Sequence, residues 1–208
     1  MARRPLFVGD PALVVVDIQC GADQPAEVVG IDHMDGAAER IARAERLVAA
    51  ARAASVPVIF FQEVHRASGV DFGRELDGAE GVHCVEGAPA TELWPTLWPA
   101  DGEFHIVKRR YSGFIGTDFE IVLRGLDVST LVLIGGLTDV CVHYTFADAH
   151  QRDYHVRVVE DCVGGSSRAR HDAALDAMEY LQAGARRRTE EIVAAFAGRV
   201  PTMKEAIR

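Results

Sequence analysis

Short runs of nearly uninterrupted aliphatic and aromatic residues, each followed by a stretch with helical spacing, constrain this chain more than any other feature. The runs Ala12–Val16, Pro57–Phe61, Phe104–Val107, Thr130–Ile134 and His155–Val159 have the length of strands. They are rich in Val, Ile, Leu and Phe, as strands covered on both faces are. Ala185–Thr189 reads as a weaker sixth. Between them, Gly36–Ala54 places Ile41, Ala44, Leu47, Val48 and Ala51 at helical spacing. Asp118–Arg124, Asp139–Arg152, Ser166–Gln182 and Glu190–Ala197 read the same way. This alternation predicts an α/β fold built on a parallel sheet. No repeat interrupts the order, but the connection from about Val64 to Gly102 is long and rich in Gly, Pro and acidic residues. A loop of that length in a compact fold is usually functional.

In open parallel sheets ligands bind beyond the carboxyl ends of the strands, so the residues delivered there matter most. The first run ends at Asp17, the second at Gln62 and Glu63 with His65 just after, the third at Lys108, and the fifth at Glu160 and Asp161. The fourth ends in a turn, Gly135-Gly136, followed by Leu137-Thr138-Asp139-Val140-Cys141. Thr138 or Asp139 is placed to cap the next helix, which puts Cys141 in its first turn. There the helix dipole and free backbone N–H groups favour a thiolate, and the same N–H groups can hold an oxyanion. A carboxylate, an ammonium and a thiol on one rim make a nucleophilic site. Asp17 can take the thiol proton, while Lys108 can hold Asp17 ionised and stabilise the thiolate.

Composition excludes several functions. The formal charge of −9, with no basic stripe, argues against nucleic acid. Four cysteines, at 20, 84, 141 and 162, are too few and scattered for a disulfide scaffold. Cys20, Cys84 and Cys162 read as buried small hydrophobes. No segment approaches the length of a membrane span, and the first residues have no signal-like apolar stretch, so a cytoplasmic protein with no membrane partner is expected.

VVVDIQ around Asp17, VKRRYSGFIGTDFEIVLR around Lys108 and IGGLTDVCVHYTFADAHQRDYHVRVVED around Cys141 resemble, in order and spacing, the three motifs of the isochorismatase-like cysteine hydrolases. The resemblance covers most of the chain. It implies a single domain over residues 1–208 with a three-layer α/β/α fold and a six-stranded parallel sheet. It also implies an Asp17–Lys108–Cys141 triad and a cis peptide at Gly136-Leu137 that sets the Leu137 N–H beside that of Cys141 as an oxyanion hole. A homo-oligomer, dimer or tetramer, is implied too, with Tyr144, Phe146 and Tyr180 as apolar positions left over from one core. FFQEVHR, GRELDG, GVHCVEGAP and KRRYSGF look most like the carbamoyl and ureido amidohydrolase branch, similar to N-carbamoylsarcosine amidohydrolase. The expected activity is therefore cysteine-dependent hydrolysis of a small amide, carbamoyl or ureido C–N bond through a thioester, with release of ammonia. Two alternatives stay open: vinyl-ether hydrolysis of the isochorismatase kind, which needs no thioester, and a noncatalytic redox-sensing or binding subunit on the same fold.

The chain departs from the family pattern in two places. Nicotinamidases carry an Asp-x-His pair and further histidines that bind a metal; here the matching place reads Glu63-Val64-His65, with His83 in the same long loop. Two ligands at i and i+2 do not define a closed metal site, so neither metal nor cofactor is expected. Glu63, His65 and Arg66 are read as loop-ordering or substrate-facing. Many members also have an Asp-Phe pair after the first motif, where this chain has Cys20-Gly21-Ala22-Asp23. Phe114 is then a candidate pocket wall, with Trp94 and Trp98 favoured as packing residues. Arg110 can grip a substrate carboxylate or pair with acidic neighbours, Tyr111 adjoins it, and Thr138 supports the turn.

Overall fold

The computed structural model describes residues 5–199. Six parallel strands, β1 (Asp10–Val16), β2 (Val58–Glu63), β3 (Phe104–Lys108), β4 (Val128–Gly136), β5 (His155–Gly164) and β6 (Arg186–Arg187), form one sheet in the order β3-β2-β1-β4-β5-β6. The helices are a short α1 (Ala26–Val29), then α2 (Ala37–Ala53), α3 (Phe119–Gly125), α4 (His143–Gln151), α5 (Arg168–Leu181) and α6 (Thr189–Ala197). No helix among the described residues is long and apolar enough to cross a membrane.

Alternation along the strands divides the core into two layers, because successive side chains point to opposite faces. In β1, Ala12, Val14 and Val16 join Phe119 and Leu123 of α3, Phe146 and Ala149 of α4, and Leu175 and Met178 of α5. Leu13 and Val15 join the predicted α2 stripe, Ile41 to Ala51, together with Ile192 and Phe196 of α6. Each such Leu, Ile or Phe contributes about 1.5–3 kcal/mol on full burial. Phe146 is thus core rather than a surplus surface position, whereas Tyr144 and Tyr180 are exposed.

Strand order reverses between β1 and β4, where a crevice opens at the carboxyl edge. β4 runs so close to β1 there that a Cβ on Gly135 would sit 2.0 Å from the Val16 carbonyl oxygen; Gly135 also has φ +110°, so only glycine fits. Glu160 and Asp161 depart from expectation. They lie inside β5, where its register against β4 breaks between Leu133 and Gly135, and they face Arg186, Arg188 and Thr189 instead of the crevice.

Candidate functional site

β1, β2 and β3 each bring an ionisable side chain to the carboxyl edge, at or just after their last residue. Glu63 and Lys108 close β2 and β3 as register partners, which places them side by side. Asp17 follows β1 directly, with φ +48°. Lys108 Nζ is fully buried and lies 2.8 Å from Asp17 Oδ2 and 3.4 Å from Glu63 Oε1. It also donates to Cys141 Sγ at 3.3 Å, and the thiol donates to Glu63 Oε2 at 3.6 Å. One oxygen from each of Asp17 and Glu63 and the Cys141 sulfur all lie within 4.8 Å of one another. One ammonium therefore faces two carboxylates and a thiol, and Glu63 is a fourth member of what the sequence presented as a three-residue site.

The electrostatics correct the expectation of an acidified thiol. Burial, helped by the Glu63 and Asp17 carboxylates, pushes the Cys141 thiol well above its ordinary range despite the opposing pull of Lys108. Cys141 rests as S–H and needs a base. Burial also pushes Asp17 up to about 6, with Lys108 opposing and Glu63 reinforcing. Glu63 is buried too, yet Lys108, His83 and His65 outweigh that burial and hold it below its usual range. Burial pulls Lys108 down, but Asp17, Cys141 and Glu63 together outweigh it and raise the ammonium, keeping it cationic. Asp17 is thus a carboxylate whose proton affinity lies close to neutrality, as general-base work requires.

The turn that carries the thiol is built differently from a capped α-helix. Thr138–Val142 is a π-helical turn leading into α4, a form often found at functional sites, and it has no side-chain cap. Asp139 instead accepts from Ser166 N at 2.8 Å and Ser166 Oγ at 2.5 Å, while Thr138 Oγ1 is bonded to His171 Nδ1 at 2.9 Å. Asp139 thus ties the turn to the loop before α5, and Thr138 ties it to the first turns of α5 itself. The Gly136-Leu137 peptide is cis, and among the described residues the Leu137 N–H donates to no backbone carbonyl.

A cavity of about 130 Å³ opens on Cys141. Asp17, Glu63, Tyr111, Gly136, Leu137 and Cys141 line it, with Ile18, Val29, Ile31, Ile41 and Val140 as apolar walls. Several candidates stand elsewhere. Phe114 is core, edge-on to Phe119 at 4.7 Å and covered by the Arg152 guanidinium at 4.7 Å. Arg66 is exposed, its backbone N–H bonded to Asp71. Arg110 donates to the Asp71 and Arg109 carbonyls and so orders the long loop. Neither tryptophan lines the cavity; Trp94 packs on the α2 layer and Trp98 is about half exposed. The wall expected from an aromatic residue comes from aliphatic residues of the segment before α2. Nothing in that segment's composition marked it as a wall.

The long loop also completes a donor set that Glu63 and His65 only begin. Glu75 and His83 fold beside them, and one ligand atom from each of the four lies within 4.8 Å of the others. His65 Nε2 is 3.1 Å from Glu75 Oε2 and His83 Nε2 is 3.8 Å from it. His83 Nδ1 is bonded to the Gly81 carbonyl, leaving Nε2 to face the cluster. Both ring nitrogens of His65, both carboxylate oxygens of Glu75 and Oε1 of Glu63 are buried without hydrogen-bond partners. Two imidazoles and two carboxylates in this state fit a divalent cation such as zinc or manganese, which would supply Lewis-acid polarisation beside the thiol. The expectation of no metal site rested on two ligands; GRELDG and GVHC held the other two.

Comparison with known proteins agrees with the fold. The sequence matches the isochorismatase domain over residues 11–191. The chain belongs to the isochorismatase family. Ureidoacrylate amidohydrolase RutB of Methylobacterium radiotolerans is 33% identical over 201 residues, covering 86% of this chain and 78% of that protein. The crystal structure of a cysteine hydrolase from Pseudomonas syringae pv. phaseolicola 1448A superposes with a TM-score of 0.82 at 27% identity, covering 95% of this chain and 99% of the other. N-carbamoylsarcosine amidase from Thermoplasma acidophilum gives 0.72 at 26% identity, over 87% and 97%.

Proposed function

We propose that this isochorismatase-family protein hydrolyses the C–N bond of a small amide, carbamoyl or ureido substrate, with Cys141 as nucleophile. The observation that carries the reading is a buried thiol held between one ammonium and two carboxylates at the mouth of a small cavity. The similarity to amidohydrolases of ureido and carbamoyl compounds supports the substrate class.

In this reading Asp17 takes the thiol proton as the sulfur attacks the substrate carbonyl, and Lys108 stabilises the thiolate at 3.3 Å. The N–H groups of Leu137 and Cys141 hold the tetrahedral oxyanion; losing one such donor typically costs about 3–4 kcal/mol of barrier. Protonated Asp17 then gives its proton to the leaving nitrogen and ammonia departs. Water, deprotonated by Asp17, hydrolyses the thioester and restores the thiol. From a ureido compound the released carbamate breaks down to carbon dioxide and the amine. Burial raises the proton affinity of Asp17, Lys108 opposes that rise, and the Glu63 charge reinforces it. The test is ammonia release from a panel of N-carbamoyl compounds, ureides and simple amides, with carbonyl release from a vinyl ether followed alongside, run beside Cys141→Ser. Turnover of the vinyl ether alone, or unchanged turnover in the variant, overturns the proposal; no turnover at all would leave the noncatalytic alternative.

A further inference from the structure

The cavity has a second polar feature that the mechanism does not use. Arg40 is the sole lysine or arginine among its lining residues, which otherwise include the anions Asp17, Glu63 and Glu80. Its terminal nitrogens donate to the Asp35 carbonyl at 2.6 Å and the Met34 carbonyl at 2.9 Å, which fixes the guanidinium plane. Nε makes no hydrogen bond, and no carboxylate lies within ion-pair distance, among the described residues. A half-buried guanidinium on the cavity wall, with the Glu39 and Asp35 charges acting on it but no ion pair to either, keeps donors for an anion, because arginine stays charged and presents its donors in a rigid fork.

The backbone has made room for it. A Cβ on Gly164 would lie 2.5 Å from Arg40 Nε and 2.7 Å from Cζ, so the guanidinium rests on a glycine that no other residue could replace without moving it. Gly164 pairs with Gly136 across β4 and β5, the residue that begins the Leu137 turn. Neighbouring strands are about 4.8 Å apart, so Gly164, against which the cation rests, adjoins the Gly136-Leu137 turn on the wall of the same cavity. Asp17 and Glu63 repel an anion at the thiol end of the cavity. A substrate bearing an acid group can therefore enter in one direction only.

We propose that Arg40 binds the carboxylate of the substrate, selecting a short ureido or N-carbamoyl acid over the corresponding neutral compound and presenting its carbonyl to Cys141. The proposal rests on the C–N hydrolase reading for its chemistry and on the Arg40 cradle for its geometry. Two measurements separate the two. The first compares kcat/KM for N-carbamoyl-β-alanine with that for its neutral alcohol analogue, N-carbamoyl-3-aminopropanol, in wild type, Arg40→Gln and Arg40→Lys. The preference for the acid should fall roughly 10- to 100-fold in Arg40→Gln, the range expected for losing a charged hydrogen-bonded pair, and Arg40→Lys should recover part of it. If disturbance of the Met34–Asp35 loop were the whole effect, both substrates would fall together and the ratio would stand, which overturns the proposal. The second measures binding of the same two compounds to Cys141→Ala by calorimetry, where no turnover is needed. The acid should bind at least tenfold tighter, and Arg40→Gln should abolish the difference. Equal binding, binding of neither, or a preference that survives Arg40→Gln overturns the assignment. Failure of wild type to release ammonia from any substrate would remove the hydrolase reading, while the binding comparison still decides Arg40.

Discussion

Replacing Lys108 with methionine would keep most of the side-chain volume and remove the charge on which the site depends. Its ammonium is fully buried, with Asp17 at 2.8 Å, Glu63 at 3.4 Å and the Cys141 sulfur at 3.3 Å. Without it two buried carboxylates face each other with oxygens within 4.8 Å. Removing one partner of a buried ion pair costs about 3–5 kcal/mol. For a chain of this size, where 1 kcal/mol moves the midpoint by about 2–4 °C, that is a fall in Tm of roughly 6–20 °C at neutral pH. The loss should also depend on pH with a definite sign. With the ammonium gone, the folded-state pKa values of Asp17 and Glu63 rise above their unfolded values near 4, so stability is lost as pH rises through the folded values. The deficit relative to wild type is therefore largest near pH 7.5 and shrinks toward pH 5. Lys108→Met with Glu63→Gln, which removes one of the stranded charges, recovers part of the loss. Urea denaturation of the three proteins at both pH values, in the presence of chelator, reads all of this. A deficit below about 1 kcal/mol that is the same at both pH values would refute the picture of a charge balanced between two buried carboxylates.

Three further outcomes follow from the same geometry. Because Asp17 is pushed up to about 6 and must be ionised to take the thiol proton, kcat/KM should rise with pH through about 6 and level off above it; a profile flat down to pH 5 would contradict that role. Gly135→Ala places a methyl group against the Val16 carbonyl in a left-handed backbone, so it should destabilise by several kcal/mol and abolish activity; a soluble variant with wild-type denaturation and turnover would contradict the β1–β4 contact. Zinc or manganese should bind at one equivalent per chain in a calorimetric titration, at least tenfold weaker in Glu75→Gln and His83→Ala; titrations identical to wild type would show that these donors do not act together.

The parallel sheet was legible because β1, β2 and β4 are long runs of aliphatic and aromatic residues, and a strand buried on both faces leaves little other choice of residue. The rim residues were legible for the same reason: Asp17, Glu63 and Lys108 are where those runs stop. The run boundaries were less so, since Glu63 and Lys108 belong to the strands and compensate each other's charge there. The misreadings share one cause, which is that local pattern carries no information about distant partners. Thr138 and Asp139 looked like helix caps, but His171 and Ser166, on a segment far along the chain, take their side chains. Cys141 looked acidified by its helix, but burial and Glu63 act more strongly. Phe114 follows a site motif and yet points into the core. Glu75 and His83 reach the crevice because the long loop folds back over it, and Arg40 because the first turn of α2 packs there; no periodicity reports either.

The central claim is that Cys141 carries the substrate through a covalent intermediate, and intact-mass analysis of protein quenched with acid during turnover tests it most directly. The account predicts an adduct equal in mass to the substrate less ammonia, mapped to Cys141 and absent from Cys141→Ala. An adduct that persists in Cys141→Ala, or ammonia release by that variant at the wild-type rate, would contradict it.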